Sequence, residues 1–199
     1  MQYNGLGDGK YEPLAQRNVD TGMGFERILT FLHGQNSVFD TELFSGAFKI
    51  ILGQIGEATN QQEIKTRIIV DHLRAATFVA SDGVVPSNKE RGYIMRRLLR
   101  RAIVHGKILR MSGSWVKEIV ENYIENYKTA YPELATNREN IIKVILDEEQ
   151  KFNKTLEAGL KELRKYQTIT GKDAFNLFQS FGIPWEIIKE LAEQSGIAI

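Results

Sequence analysis

Residues 86–111 read "PSNKERGYIMRRLLRRAIVHGKILRM", and the spacing of their apolar and basic residues decides the fold class. At about 100° per residue, Ile94, Met95, Leu98, Leu99, Ala102 and Ile103 share one half of a helical wheel. Arg96, Arg97, Arg100, Arg101 and Lys107 take the other half, with only Tyr93 and Val104 intruding. Ser87 followed by Glu90 fits a capping box, which makes Asn88 the first residue inside the helix. The segment predicts one amphipathic helix over about Lys89–Leu109, with an apolar stripe for a core and a basic stripe left for another purpose.

The same period extends in both directions. Phe25, Ile28, Leu29 and Leu32 fall at helical spacing before a stop at Gly34. "SVFDTELFSGAFKIILGQIG" supplies a second helix, with Asp40 or Thr41 as its N-cap. Helical patterns also cover about Glu63–Ala80, Trp115–Tyr127, Arg138–Tyr166, Gly171–Phe181 and Trp185–Gln194. "SDGVVPSN", Pro132 and "TITGK" mark the breaks. Ile142, Ile145, Phe152, Leu156, Leu160 and Leu163 form a stripe that reads as core before a dimer seam, and Trp115 and Trp185 read as packing residues before base-stacking platforms. Residues 1–22 differ, being punctuated by Gly5, Gly7, Gly9 and Pro13. "GDGKY" reads as a turn between extended pieces near Met1–Asn4 and Arg17–Thr21. The expected fold is mainly α, with a small extended piece at its front.

Composition narrows the class of function. With 199 residues, 42% of them hydrophobic and 26% charged, the chain can bury a core and does not have a disordered composition. It has no cysteine, so disulfides, thiolate nucleophiles and cysteine-bound zinc are excluded. His33, His72 and His105 form no cluster with metal-ligand spacing. No apolar run approaches the roughly 20 residues that span a bilayer, and the N-terminus lacks the layout of a signal peptide. A soluble, cytoplasmic protein is the expectation. The net charge of +1 excludes little, because a balanced total can hide a basic face.

Two segments point to chemistry. No acidic residue lies between Arg91 and Lys117, so the arginines of the basic stripe have no carboxylate partner one turn away. Either they pair with acids elsewhere in the fold or they contact phosphate, which guanidinium grips with two parallel hydrogen bonds. The partner class is then RNA or another polyanion. Asn88 either reaches a base edge or is an ordinary polar residue beside a cap. The second segment is "NVDTGMGFER", residues 18–27. Gly22 and Gly24 lie where an extended piece hands over to a helix, which lets a ligand approach the backbone and favours anions. Arg27 could meet a phosphate and Asp20 an ammonium group. A plain strand-to-helix turn accounts for the glycines equally.

Together, "NVDTGMGFERIL" and "VDHLRAATFVASDGVVPSNKERGYIMRRLLRRAIVHG" resemble the alanyl-tRNA synthetases, a family of class II aminoacyl-tRNA synthetases. The first looks like that family's third class II motif and the second like its helical tRNA-recognition region. The likeness is collinear and extends more weakly over the rest of the chain. It implies a division into residues 1–40, a remnant of the class II antiparallel β catalytic domain, and residues 41–199, a helical tRNA-recognition domain. It implies that Asp20 binds the alanine ammonium, that Gly22 and Gly24 line the alanine and adenylate pocket, and that Arg27 contacts ATP. Asn88 matches the family asparagine that reads the G·U wobble pair of the acceptor stem. "FQSFGIPWEII" lines up with a segment that usually reads Gly-Phe-Pro-x-Asp-Leu, so Glu186 stands where the second reader, an aspartate, is expected. The resemblance also makes Arg91, Arg96, Arg97, Arg100 and Arg101 tRNA contacts.

The implied parent reaction is ATP-dependent activation of alanine, with Mg2+, followed by transfer to tRNA(Ala). The partners are the acceptor stem, alanine, ATP and the remainder of the synthetase, with no membrane. The family's first two class II motifs and its zinc-bearing editing domain have no counterpart in these 199 residues, so the chain is expected to bind RNA without forming adenylate and to hold no zinc. A stand-alone RNA-binding module derived from the synthetase, and a helical protein whose arginines meet an acidic partner, are the alternatives.

Overall fold

The computed structural model describes residues 2–16, 18 and 21–199. The chain divides into two compact units, Met1–Leu43 and Phe44–Ile199. The expected mainly α fold is the one observed. Among the described residues, nine α-helices accompany one antiparallel pair of strands.

In the first unit, β1 (Tyr3–Gly7) pairs with β2 (Lys10–Pro13), with Asn4 opposite Glu12 and Gly5 opposite Tyr11. Asp8 and Gly9 join them, both at positive φ (50° and 75°), as a two-residue hairpin turn requires. The turn lies where "GDGKY" predicts it. The second strand follows it at once, because a two-residue loop fixes the register of its neighbours. The second extended piece expected at 17–21 falls largely outside the described residues. Helix α1 (Phe25–Leu32) starts at Gly24, and none of its residues is buried.

The second unit carries the core. After α2 (Glu42–Ile55) comes α3 (Asn60–Ser81), capped by a reciprocal Thr59–Gln62 box. Ile69, Val70, Leu73, Ala76 and Ala80 make its buried face. Thr66 and Thr77 are also buried there, and their hydroxyls donate to the Gln62 and Leu73 carbonyls at 2.9 and 2.7 Å. Helix α4 (Glu90–Ile108) packs along α3. Beside them lie α5 (Trp115–Tyr127), the short α6 (Pro132–Thr136) and the long α7 (Arg138–Leu163). Tyr123 is fully buried, and its hydroxyl donates to the Val70 carbonyl at 2.8 Å. A hairpin of α8 (Gly171–Phe181) and α9 (Trp185–Gln194) closes the unit. Ile183, Ile187 and Ile188 from this hairpin pack with Ile103, Val104, Phe152 and Leu156. Burying one such side chain contributes about 1.5–3 kcal/mol.

Three local expectations are corrected. Helix α4 begins at Glu90 with Lys89 as N-cap and no side-chain cap, so Asn88 precedes the helix. The Ser87 hydroxyl accepts from the Lys89 amide and donates to its carbonyl instead. The apolar stripe of α4 is also displaced. Ile94 is exposed, whereas Val104, His105 and Gly106 are buried. A wheel assumes one buried face along the whole length, but the C-terminal half of α4 is enclosed on several sides. Finally, Trp115 packs as expected, over Gly106, but Trp185 is exposed and lies outside the core cluster.

Candidate nucleic-acid interface

Two glycines bring separate stretches of the second unit together. At Gly92, in the first turn of α4, a Cβ would lie 2.5 Å from the Val85 carbonyl oxygen and on top of the Ser87 hydroxyl. The absence of a side chain lets the 84–89 loop fold back on the helix, where the Ser87 amide donates to the Gly92 carbonyl at 3.0 Å. Asn88 is thereby carried on the edge of α4. Gly182 ends α8 in the left-handed conformation at φ 66°. A Cβ there would run into the Arg100 guanidinium, so glycine alone allows α4 to approach the α8–α9 turn so closely.

Between these two contacts lies a cavity of about 660 Å³. Helix α4 contributes Tyr93, Arg96, Arg97 and Arg100, and α7 contributes Lys151 and Thr155. The end of α8 and the start of α9 supply Phe178, Phe181, Trp185 and Glu186, and Asn88 closes the rim. The cavity thus gathers Asn88, Arg96, Arg97, Arg100 and Glu186, which the chain separates by up to ninety-eight positions. Arg91 and Arg101 do not line it.

The arginines do not all face solvent freely. Arg96 donates to the Asn88 side-chain carbonyl, which leaves the amide NH2 as the outward group. Arg97 pairs with Glu186 across the cavity wall. Arg100 is the most constrained. Its Nε donates to Glu148 at 2.7 Å, its Nη1 to the Gly182 carbonyl at 3.2 Å, and it lies 4.8 Å from the centre of the Phe152 ring. Glu148 is buried on α7. Pairing with acids elsewhere in the fold, one of the two sequence readings, therefore describes Arg97 and Arg100. Arg101 has its Nε buried without a hydrogen bond among the described residues. Burial, with the Arg100 charge beside it, lowers the Arg96 pKa from its ordinary value, yet a guanidinium stays charged throughout the physiological range.

In the first unit, Gly24 caps α1, and Arg27 folds back so that its Cγ and Cδ would touch a Cβ at Gly24 at 3.6 Å. Around Gly22 there is open space. Neither glycine has a positive φ, so the local fold of the chain does not demand glycine at either position. Asp20 lies outside the described residues. Among the described residues, no three acidic or imidazole groups are placed to hold a metal ion, and no helix is long and apolar enough to cross a membrane.

Trp185, Phe178, Lys151, Glu148, Gly92 and Gly182 belong to the cavity or support it without having been singled out for it in the sequence. One of them carried a visible signal. Glu148 continues the apolar stripe of α7 at Ile141, Ile145, Phe152 and Leu156, and an acid on such a stripe calls for a cation opposite it.

The family described as tRNA synthetases class II (A) matches residues 1–199. Alanine–tRNA ligase 1 of Lachnoclostridium phytofermentans is 38% identical over 100% of this chain and 24% of its own length. Alanine–tRNA ligases of a Thermoanaerobacter species and of Fusobacterium nucleatum are 36% and 37% identical over the same shares. The chain therefore spans about a quarter of the length of the curated relatives it matches.

Proposed function

The chain belongs to the class II tRNA synthetases, and from that premise we propose that it is part of an alanine–tRNA ligase, an enzyme that activates alanine with ATP and transfers it to tRNA(Ala) in the cytoplasm. Residues 1–40 are the end of the catalytic domain and residues 41–199 the tRNA-recognition domain. The observation that carries this reading is the gathering of Asn88 and Glu186 on one cationic cavity in a chain whose full length matches the family.

In this reading the cavity reads the acceptor stem from its minor groove, which in RNA is wide and shallow. Asn88, its carbonyl engaged by Arg96, donates from its NH2. The Glu186 carboxylate accepts, as a partner for a guanine 2-amino group must. Glu186, one methylene longer than an aspartate, is held by its pairing with Arg97. Arg91, Arg96, Arg97 and Arg101 attract phosphate, and Arg100, clamped by Glu148 and Gly182, adds a fixed positive charge.

In the first unit, Asp20 receives the alanine ammonium and Arg27 meets the phosphates of ATP. Open space at Gly22 and ordinary contact at Gly24 support a requirement for ligand approach at those positions. Mg2+ would accompany ATP and offset its charge. Among the described residues no three acidic or imidazole groups are placed to hold a metal ion.

The test is binding to an acceptor-stem minihelix carrying G·U or G·C at the wobble position, at two salt concentrations. Loss of a base contact costs about 1–3 kcal/mol, and the salt slope counts phosphate contacts. Weaker binding to G·C, with Asn88→Ala abolishing the difference, is expected. Equal binding to both pairs by the unmodified chain would sink the base-reading role.

A further inference from the structure

We propose that the Trp185 indole is a stacking platform in this cavity, so that the cavity takes one RNA nucleotide whose base has left the helical stack. The inference rests on the RNA-binding reading above and adds a contact residue and a ligand conformation to it.

Trp185 is the first residue of α9, after Pro184. Two and three residues further on, Ile187 and Ile188 at 1% and 0% exposure seal the core, whereas Trp185 is 45% exposed. The indole leaves nearly half of its surface to solvent and belongs to no part of the core cluster. Phe178, 41% exposed, faces the same cavity. The cavity therefore has an aromatic wall from the α8–α9 hairpin and a cationic wall from Arg96, Arg97 and Lys151.

A nucleotide is the ligand with matching parts, a flat π-face joined to a phosphate. In the reading above the rim groups Asn88 and Glu186 meet paired bases, which leaves the aromatic and cationic walls for an unpaired one. Aromatic stacking tolerates any base, because each offers a π-face. The volume also fits. About 660 Å³ is within the roughly 300–1,000 Å³ of small-ligand pockets, which leaves room for one nucleotide. An apolar peptide would leave the arginines unmatched, and a bare anion would leave the aromatic wall exposed.

Because Trp185 stands outside the core, it can be replaced without opening a cavity there. The full chain is titrated with a labelled acceptor-stem minihelix bearing an unpaired 3′ end and with the same duplex blunt-ended. RNA anisotropy and tryptophan emission are recorded together. Subtracting the Trp185→Phe emission from the unmodified chain's emission isolates the Trp185 signal. The expected results are quenching of that signal in step with anisotropy for the RNA with unpaired nucleotides and less for the blunt duplex. Trp185→Ala should weaken binding roughly 5- to 150-fold, Trp185→Phe should restore most of the loss, and Trp185→Leu should not.

RNA binding with unchanged Trp185 emission and unchanged affinity in Trp185→Ala would overturn the stacking role while leaving the RNA reading intact. Equal rescue by Leu and Phe would reduce Trp185 to an apolar filler and overturn it too. No RNA binding, or quenching by polyglutamate in place of RNA, would overturn both readings.

Discussion

His105 shows how one buried residue sets a pH limit on the fold. It is buried in α4, and neither ring nitrogen has a hydrogen-bond partner among the described residues. Burial pushes its pKa down from 6.5 to about 4, and the charges of Arg101, Lys65 and His72 push the same way. The Glu190 carboxylate, 3.7 Å away, opposes them, but Lys65 already holds Glu190 at 2.6 Å, so burial wins and the imidazole is neutral. The unfolded chain takes up its proton near pH 6.5, the folded chain only near 4. The stabilisation is therefore complete above about 6.5 and declines as pH falls toward 4, by at most about 3 kcal/mol. Urea unfolding at pH 7 and pH 5 should show this loss, and His105→Leu should flatten it whatever that variant's absolute stability. An unaltered pH slope in the variant would assign the dependence to other groups.

At the scale of elements, α4, α7 and the α8–α9 turn converge on the Arg100–Glu148 ion pair. Arg100 comes from α4, Glu148 from α7, and the Gly182 carbonyl from the turn. Removing one partner of a buried pair leaves the other charge desolvated and uncompensated. Glu148→Ala should therefore cost about 3 kcal/mol in denaturant unfolding, and a cost below about 1 kcal/mol would show Arg100 to be adequately solvated without it. The sequence could have announced this pair. Periodicity gave most of the α7 stripe, with fully buried Ile141 in place of the expected Ile142, and Glu148 occupies the same face. What the sequence could not supply was the partner, because Arg100 lies forty-eight residues away and sits on a stripe otherwise free of local acids. Helix extents were legible for a similar reason. Trp115–Tyr127, Gly171–Phe181 and Trp185–Gln194 match their predicted limits, because the local apolar period sets them, with a Thr170–Asp173 capping box added at the second. The start of α4 was missed because the close approach of Val85 and Ser87 to Gly92 overrides the apparent capping box. Trp185 was misread because its exposure depends on which face of α9 meets α7 and α4, a tertiary fact.

At the scale of the whole molecule, burial is distributed unevenly between the two units. Every residue of β1 and β2 is exposed, and α1 buries none of its eight. Phe31 is 83% exposed and Leu32 71%, although their helix has the apolar spacing of a core element. The sequence thus made α1 legible as a helix without revealing that Phe25, Phe31 and Leu32 stay in water while Ile28 and Leu29 are only half-buried. A two-stranded hairpin and an eight-residue helix are each marginal without a hydrophobic face to bury. By contrast, α3 and α4 together bury Ile69, Val70, Leu73, Met95, Leu99 and Ala102 at 0% exposure. Native-state amide exchange should therefore separate the units. The amides of β1, β2 and α1 should exchange through openings that cost close to nothing, while those of α3 and α4 open only with the global transition, a gap of roughly 5 kcal/mol or more for a typical domain. Added denaturant should accelerate exchange in α3 and α4 and leave the first unit's nearly constant, because its openings expose little new surface. Protection in α1 equal to that in α4 would mean that the first unit's stability comes from something other than the burial of its own side chains.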